Sequence, residues 1–496
     1  MKTPRPTLFF CMGVVLLAVL VFSALPAHAD TSLEIKPHAP GDPIADGPVK
    51  VYILAGQSNM VGIGQVDGGG SRWGDAFIDP VLSVYPGDYD PDKDYDKLEP
   101  SKTVKLESFG GVNPTPYPGG GVQVVRGTIK IETTGVYEMR PGYGGSTHNI
   151  MLVDGKEAYR KEPGGEAKYT PVKLSKGEAV PFKITYLTND ANGLGWIARL
   201  DIPGTLKTVV REEGKFAYLA DDEGNFVPRK DVWYKGVVTA TASKWLAPGC
   251  GAGANSIGPE LGFGHVMGTY HDQPVLILKA SQGNRSLGWD FLPPGSERYE
   301  HTDADGKTWV YAGYKDSPSR WEKGTTPEPI NWYAGKQYDD CFGEAHEVLR
   351  NFDQNFPMWK GRGYEIAGFA WWQGHKDSGS ELSAQRYEQN LVHLIKTLRK
   401  EFEAPGAPFV VATIGFDGED MAGNFLTIAK GQLAMNDHEK YPAFRGNVKT
   451  VDTRGFWRTP EQSPRNQGFH YNGNAETYML VGEAMGRGMV QLLKGE

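Results

Sequence analysis

The feature that most constrains the fold is a series of short apolar runs, each followed by polar residues. The runs are Val49–Leu54, Pro274–Leu278, Ile366–Trp372, Phe409–Ile414 and Val448–Asp452. Near-continuous apolar, β-branched runs of this length predict buried parallel strands. Helical patterns lie between them, most clearly at Gly258–Tyr270, Asp340–Phe352, Ser383–Phe402 and Ala475–Leu493. Strands that alternate with helices predict an α/β fold with a parallel sheet covered on both faces.

Polar clusters follow three of these strands. They are Gly56–Met60, Lys279–Asn284 and Gln373–His375. In open α/β sheets ligands bind beyond the carboxyl ends of the strands. We therefore expect a functional site where these three clusters meet.

One segment breaks the alternation. From about Gly119 to Val210 there is no good helical pattern, and short alternating stretches occur instead, at Val122–Glu132, Gly135–Arg140, Asn149–Val153, Ala179–Leu187 and Gly195–Ile202. The pattern predicts a small antiparallel β-sandwich over residues 119–212. This sandwich would be inserted into an α/β domain formed by residues 30–118 and 213–496.

The N-terminus has the pattern of a secretory signal peptide. Lys2 and Arg5 precede the apolar run Leu8–Leu25, and a small-residue cleavage pattern ends at Ala29. We expect residues 1–29 to be removed and the protein to be periplasmic or extracellular. A retained membrane anchor is the alternative interpretation.

The net charge limits which molecules the protein can bind, and the cysteine content limits its disulfides. The formal net charge is −8, and loss of two basic residues with the signal peptide makes it −10. This acidic balance, without a basic cluster, argues against nucleic acid or an anionic membrane as partner. Cys250 and Cys341 would remain, either as a disulfide in an oxidising compartment or as two buried thiols.

Ser58 is the candidate nucleophile. It follows a strand and a glycine and precedes a predicted helix, which places its hydroxyl at the carboxyl edge of the sheet near backbone N–H groups. The string Gly56–Met60 resembles the first block of the SGNH hydrolases, in the form used by sialate O-acetylesterases and carbohydrate esterase family six.

Four further segments resemble the later blocks of the family, in the same order. They are Ser256–Gly262, Gln282–Trp289, Trp372–Asp377 and Gly468–Asn474. Apart from the insertion, the resemblance covers most of the chain from Val49 to Val490. It implies a flavodoxin-like three-layer α/β/α hydrolase domain. The insertion resembles protective-antigen-type sugar-binding sandwiches, and a purely structural insertion is the alternative.

The resemblance implies a serine esterase that removes acetyl groups from polysaccharides or oligosaccharides, without a metal or cofactor. His470 would take the proton of Ser58, and the neighbouring Asn474 is expected to be the N-cap of the final helix. The residues expected to bind the oxyanion or the substrate are Gln57, Gly258, Gly283, Asn284 and Gln373.

Two positions depart from the family pattern. Gln467 stands where the family has an aspartate three residues before the histidine, and His375 stands where it has a glutamate. We therefore expect Asp377 to be the third catalytic residue, with Asp452 or Gln467 as alternatives. The same departures favour a second hypothesis, a non-catalytic carbohydrate-binding protein on a decayed hydrolase scaffold.

Overall fold

The computed structural model describes residues 33–38, 42, 44–68, 70–72, 76–106, 121–141, 148–188 and 196–496. The predicted signal peptide, residues 1–29, lies outside the described residues. None of the helices in these ranges has the length and apolar character needed to cross a membrane.

The chain has a mixed α/β structure. Its strands are β1 Val49–Gly56, β2 Gly64–Gln65, β3 Gly70–Arg72, β4 Phe77–Tyr85, β5 Lys102–Lys105, β6 Val122–Ile129, β7 Gly135–Arg140, β8 Asn149–Val153, β9 Lys156–Lys161, β10 Lys168–Tyr169, β11 Val172–Leu174, β12 Val180–Tyr186, β13 Trp196–Arg199, β14 Arg229–Val237, β15 Ser243–Leu246, β16 Ser256–Ile257, β17 Val275–Ser281, β18 Tyr299–Thr302, β19 Thr308–Tyr311, β20 Arg320–Glu322, β21 Tyr364–Trp372, β22 Phe409–Ala412 and β23 Val448–Val451.

The helices lie mostly in the second half of the chain. They are α1 Ser58–Val61, α2 Leu206–Arg211, α3 Glu260–Tyr270, α4 Lys336–Arg350, α5 Phe352–Asn355, α6 Glu381–Glu401, α7 Gly423–Leu433 and α8 Ala475–Lys494. Short three-ten helices occupy Ala217–Leu219, Pro357–Trp359, His375–Gly379, Gly418–Asp420, Ala434–Asn436, Pro442–Phe444, Arg454–Phe456, Pro460–Gln462 and Gly468–Gly473.

The main sheet is built from the predicted apolar runs. Its strand order is β15-β14-β17-β1-β21-β22-β23, and all neighbours are parallel except β14 and β15. Strand β1 lies between β17 and β21, so the polar clusters after these three strands meet at one edge of the sheet, as predicted. Every residue of β17 is buried, which is expected for a strand packed on both faces.

Two further sheets are antiparallel. Their orders are β10-β9-β8-β12-β6-β4-β5 and β11-β7-β13-β3, and buried side chains from both form one hydrophobic core that is separate from the core of the main sheet. This antiparallel region begins before the predicted residue 119, because β4 pairs with β6 and β5 pairs with β4.

A third small sheet follows the main-sheet strand β17. It consists of β18, β19 and β20 in that order, with antiparallel neighbours. Cys250 and Cys341 are free and buried, and burial raises the pKa of their thiols to about 11 and about 12.

Candidate active site

Ser58 is the first residue of helix α1, directly beyond the carboxyl end of β1. Glycine is required at Gly56, because its φ is 155° and a Cβ there would lie 2.1 Å from the carbonyl oxygen of Trp372. A Cβ placed on Gly283 would lie 3.6 Å from the Cβ of Ser58. The turn after β1 and the loop after β17 thus face each other at the serine.

Gln57 is buried and joins this turn to the loop after β21. Its side-chain oxygen accepts hydrogen bonds from Gln373 Nε2 at 3.1 Å, from the Lys376 N–H at 3.1 Å and from the Gly374 N–H at 3.4 Å. The structure therefore places Gln57, a predicted substrate-binding residue, where it holds the backbone beside Ser58.

Gly258 does not have the free N–H that an oxyanion donor needs. Its N–H donates to Glu260 Oε1 at 2.8 Å. The other Glu260 oxygen accepts from Lys279 Nζ at 2.9 Å, and both side chains are fully buried. The expectation that Gly258 binds the oxyanion has to be corrected, because the buried carboxylate two residues later already occupies this donor.

Gly258 nevertheless lies next to the nucleophile turn. A Cβ on Gly62, the residue after helix α1, would lie 2.4 Å from the Gly258 nitrogen. Lys279 Nζ also donates to the Val61 carbonyl at 2.7 Å and to the Cys250 carbonyl at 2.8 Å. The buried Lys279–Glu260 pair thus fixes the end of helix α1 against the second sequence block.

Gly283 and Asn284 remain suitable as oxyanion donors. In the hydrogen-bonding pattern of the described residues, neither the Gly283 N–H nor the Asn284 side-chain amide has a partner. Asn284 is exposed and has a positive φ of 56°. The neighbouring Gln282 N–H donates to the Gly56 carbonyl at 3.2 Å, which fixes this loop beside the strand that carries Ser58.

His470 is half-buried and lies in the loop before helix α8. The loop is tied to the residue after the serine, because Asn59 Nδ2 donates to the Phe469 carbonyl at 3.2 Å. Helix α8 holds the same residue, since Tyr478 Oη donates to Asn59 Oδ1 at 2.7 Å. Tyr478 Oη is also 3.3 Å from the His470 carbonyl. Within the described chain Ser58 Oγ makes no hydrogen bond to His470, and such contacts are often loose before substrate binds.

The His470 ring contacts the amide of Gln467. The distance from Nδ1 to Gln467 Oε1 is 3.1 Å. Burial, followed by the nearby His375 and Arg465, lowers the pKa of His470 to about 4. The imidazole is therefore neutral at neutral pH, which is the form that can accept a proton. Asn474 caps helix α8 through a hydrogen bond from the Thr477 N–H, so its predicted N-cap position is confirmed.

Asp377, the expected third catalytic residue, is directed toward another loop. Its carboxylate accepts from the N–H groups of Leu287 and Gly288, both at 2.8 Å, and from Gln373 Nε2 at 2.6 Å. Burial raises its pKa to about 6, although these hydrogen bonds oppose the shift. The carboxylate thus holds the loop that contains Gly283 and does not contact His470.

Asp452 is also occupied elsewhere. Its carboxylate accepts from Arg454 Nε and Nη2, at 3.0 and 2.6 Å, and from Thr413 Oγ1 at 3.3 Å. Burial would raise its pKa, but the Arg454 contacts outweigh it and lower the pKa. Of the three candidates for the third residue, the structure brings only Gln467 to the histidine.

His375 packs among aromatic side chains beside His470. Its ring centroid lies 5.5 Å from that of Phe416 and 5.7 Å from those of Phe425 and Phe469. Burial, and then Lys376, lower its pKa. Metal-ligand clusters of three or more His, Cys, Asp or Glu are not found among the described residues.

Sequence reasoning assigned no role to three residues that hold the site together, Asn59, Lys279 and Tyr478. Lys279 had a usable signal, because a lysine within a buried apolar strand needs a buried partner. Asn59 and Tyr478 gave no comparable signal, since they lie 419 positions apart and meet only through the fold.

Comparison with protein families agrees with the last two of the five sequence blocks, Trp372–Asp377 and Gly468–Asn474. Residues 316–491 match the family model described as carbohydrate esterase, sialic acid-specific acetylesterase. Over these residues the chain is similar to carbohydrate esterases of this family. The resemblance to the sialate O-acetylesterase type is therefore confirmed over residues 316–491, which include His470 and Gln467, while Ser58 and Gly283 lie outside the matched range. The sequence matches no curated protein significantly.

Solved structures give distant similarities. A carbohydrate acetylesterase from Xanthomonas citri is 13% identical, with a TM-score of 0.34, over 76% of this chain and 72% of that chain. The structure named NanS is 11% identical, with a TM-score of 0.33, over 91% of this chain and 100% of that chain. A protein from Arabidopsis thaliana is 14% identical, with a TM-score of 0.33, over 53% of this chain and 82% of that chain. These TM-scores are too low to establish a common fold.

Proposed function

We propose that this chain is an exported carbohydrate O-acetylesterase in which Ser58 is the nucleophile, His470 the general base and Gln467 the residue that orients the histidine. The observation that carries the proposal is the connection of the two loops. Asn59 and Tyr478 join the Ser58 turn to the His470 loop, and Gln467 contacts His470 Nδ1. The matched esterase family supports an acetylated carbohydrate as substrate.

The reaction needs two acyl-transfer steps. His470 Nε2 takes the hydroxyl proton as Ser58 Oγ attacks the acetyl carbonyl carbon. The tetrahedral intermediate then expels the sugar oxygen, which receives the proton from His470. Water, deprotonated by His470, then attacks the acetyl carbonyl carbon; the bond to Ser58 Oγ breaks, His470 returns the proton to Oγ, and acetate leaves.

The oxyanion is held by donors that the protein leaves free. The Ser58 N–H, the Gly283 N–H and the Asn284 side-chain amide have no acceptor in the described hydrogen-bonding pattern. Gly283 faces the Cβ of Ser58, and Asn284 is the next residue. Removing one such donor from a serine esterase or protease typically lowers the rate by about 10² to 10³. Gly258 is not included, because Glu260 occupies its N–H.

Gln467 orients the imidazole ring of His470. Its amide oxygen can accept the Nδ1 proton of His470 and so direct Nε2 toward the serine. An amide cannot neutralise the imidazolium as a carboxylate does, yet an asparagine serves this position in one class of cysteine protease. The amide partner is thus compatible with catalysis by a weaker base.

Ser58→Ala tests the proposal. We expect ester hydrolysis to fall to background, while thermal stability hardly changes because only one oxygen is removed. Acetate release from 4-nitrophenyl acetate and from acetylated glycans is the measurement. Ser175→Ala is the matched control, since Ser175 is an exposed serine in the antiparallel region.

Retention of more than a few per cent of activity by the purified Ser58→Ala protein would exclude Ser58 as nucleophile. The second hypothesis, a non-catalytic carbohydrate-binding protein, is favoured by Gln467 at the position of the family aspartate. It would be supported if the wild-type protein binds acetylated glycans but releases no acetate from any of them.

A further inference from the structure

A large cavity lies beside the candidate active site. Its volume is about 760 Å³, and Ser58 and His470 are not among its lining residues. It begins at Asn284 and His375 and extends between the small β18–β20 sheet and helix α6. Because Asn284 directly follows the glycine that faces Ser58, the cavity starts next to the nucleophile turn.

Aromatic side chains form much of the cavity wall. Tyr299 and Tyr311 lie in the cavity with stacked rings, whose centroids are 4.8 Å apart and whose planes differ by 9°. Trp289 and Trp309 line the same space. A wall of aromatic side chains with a few polar groups is typical of ligand-binding cavities.

Two arginines in this wall have no acidic partner. Arg386 lies over the Tyr299 ring at 3.4 Å from its centroid, and Arg320 lies over the Trp309 ring at 4.6 Å. Arg320 Nη1 donates to Tyr311 Oη at 3.2 Å. Across the described ranges neither guanidinium has a carboxylate within salt-bridge distance.

Other charges of the same region are paired. Arg298 and Lys307 on the small sheet pair with Asp316 and Glu322. Two acids line the cavity, but both already accept hydrogen bonds: Asp303 from Trp309 Nε1 and two backbone N–H groups, and Asp377 from the three donors described above. These donors are neutral, so both carboxylates keep their charge. With Lys376, the two arginines give the lining three cationic side chains against two carboxylates, an excess of one positive charge.

We propose that this cavity is a subsite for a carboxylate-bearing sugar, a hexuronic acid unit that adjoins the acetylated sugar at Ser58. The inference rests on the proposed esterase function and names its substrate class as an acetylated acidic polysaccharide. A guanidinium binds a carboxylate through two parallel hydrogen bonds, and stacking on an aromatic ring fixes its plane beforehand. The cavity falls in the range of about 300 to 1,000 Å³ that holds ligands larger than one sugar ring.

The test compares an O-acetylated oligogalacturonide with the same oligosaccharide after methyl esterification, which removes the charge and keeps the acetyl groups. We expect kcat/KM to be at least about tenfold higher for the acidic form. Arg386→Gln and Arg320→Gln should each lower kcat/KM on the acidic form by about tenfold to hundredfold, the value of a charged hydrogen bond. The loss should appear mainly in KM, and 4-nitrophenyl acetate turnover should not change.

Arg298→Gln is the matched control. Arg298 lies next to the same small sheet and stacks over Trp321, but its charge is paired with Asp316. It should leave the preference for the acidic substrate unchanged. Calorimetry with Ser58→Ala protein and an unacetylated oligogalacturonide measures binding without turnover, and Arg386→Gln in that background should weaken it.

The outcomes separate the two proposals. If 4-nitrophenyl acetate is not hydrolysed, the esterase proposal fails, whereas binding of the oligogalacturonide still reports on the subsite. Equal rates on the acidic and methyl-esterified substrates, with no effect of either arginine variant, would overturn the subsite. An arginine-dependent preference for monomeric O-acetyl sialic acid and none for the oligogalacturonide would overturn the assignment to hexuronic acid.

Discussion

The contact between Gln467 and His470 permits a direct test of His470 as the proposed catalytic base. Gln467→Glu is the most informative change, because it keeps the size of the side chain and replaces the amide nitrogen by an oxygen. In the structure Gln467 Oε1 lies 3.1 Å from His470 Nδ1. The variant therefore places a carboxylate where the related esterases have their aspartate.

The magnitude follows from this distance. Two unit charges about 3.1 Å apart attract each other by about 5 kcal/mol at an effective dielectric constant of about 20, which is an upper bound. Both side chains are only half-buried, so water and salt reduce the attraction. A charged hydrogen bond contributes about 1.5 to 3 kcal/mol, and we take this range as the stabilisation of the imidazolium.

The sign of the pH effect is fixed by the form that the base must have. His470 accepts a proton only when neutral, so activity falls as the pH drops through its pKa, which is about 4 in the wild-type protein. A carboxylate at position 467 stabilises the protonated ring and raises this pKa toward its ordinary value. The acidic limb of the rate profile should therefore move to higher pH.

The rate above that limb should increase. The imidazolium forms as Ser58 attacks, and each 1.36 kcal/mol of stabilisation gained in the transition state is about tenfold in rate. We expect kcat/KM of Gln467→Glu to rise by about tenfold to hundredfold near neutral pH. Gln467→Ala should lower it by at least about tenfold, with about 10⁴ as the ceiling set by loss of the correct tautomer in a serine protease.

The assay is the pH profile of kcat/KM on 4-nitrophenyl acetate from about pH 3 to 9, with folding checked for each variant at each end of the range. Gln462→Glu is the matched control, because Gln462 is an exposed glutamine of the same loop region whose side chain accepts from the Thr459 N–H. An unchanged acidic limb in Gln467→Glu, together with full activity of Gln467→Ala, would refute the assignment of Gln467 as the histidine partner.

Two further predictions concern buried carboxylates that support the site. Lys279→Met leaves Glu260 buried without its cation and should lower the free energy of unfolding, measured by urea titration, by about 3 to 5 kcal/mol. Adding Glu260→Gln should recover part of this loss. A wild-type midpoint for Lys279→Met alone would contradict the role of the pair. Asp377→Asn leaves one acceptor oxygen for the N–H groups of Leu287 and Gly288 and should lower the free energy of unfolding by about 1 to 3 kcal/mol. The acidic limb of its pH profile should stay in place. Movement of that limb would show that Asp377 acts on His470.

The strands of the main sheet could be predicted because burial on both faces leaves an unbroken apolar pattern. The runs at Val49, Pro274 and Ile366 correspond to β1, β17 and β21 within two residues at their starts. Strand β14 was not predicted, because it contains Arg229 and Asp231. The two side chains are buried and pair with each other through a 2.8 Å hydrogen bond, so their charges are compensated only in the folded state.

In the antiparallel region, strands could be predicted only where apolar and polar residues alternate without interruption. Its later strands could be predicted from local alternation, and β7 and β8 have the predicted bounds. Strand β4, Phe77–Tyr85, was not predicted, although it pairs with β6 across an intervening segment of the chain. Its two apolar ends enclose Asp79 and Pro80, where the pairing with β6 is also irregular, and these residues interrupt the alternation that identifies a strand.

The third catalytic position illustrates which part of a site a sequence can determine. The Gln467 carbonyl accepts from the N–H groups of His470 and Asn472, at 2.9 and 3.1 Å, and the Gln467 N–H donates to Asn472 Oδ1 at 2.8 Å. These bonds use the backbone at position 467, so they persist whatever side chain stands there. They bring that side chain next to the histidine, at the position that the resemblance to the family motif had named as one of the alternatives. Because position 467 is not an aspartate, the sequence favoured Asp377 as the partner of His470. In the structure the backbone holds the Gln467 side chain beside the ring, and Asp377 hydrogen-bonds elsewhere. The residue at position 467 therefore sets the charge next to His470 but not the position of the side chain. A glutamate there should add a negative charge without changing the loop.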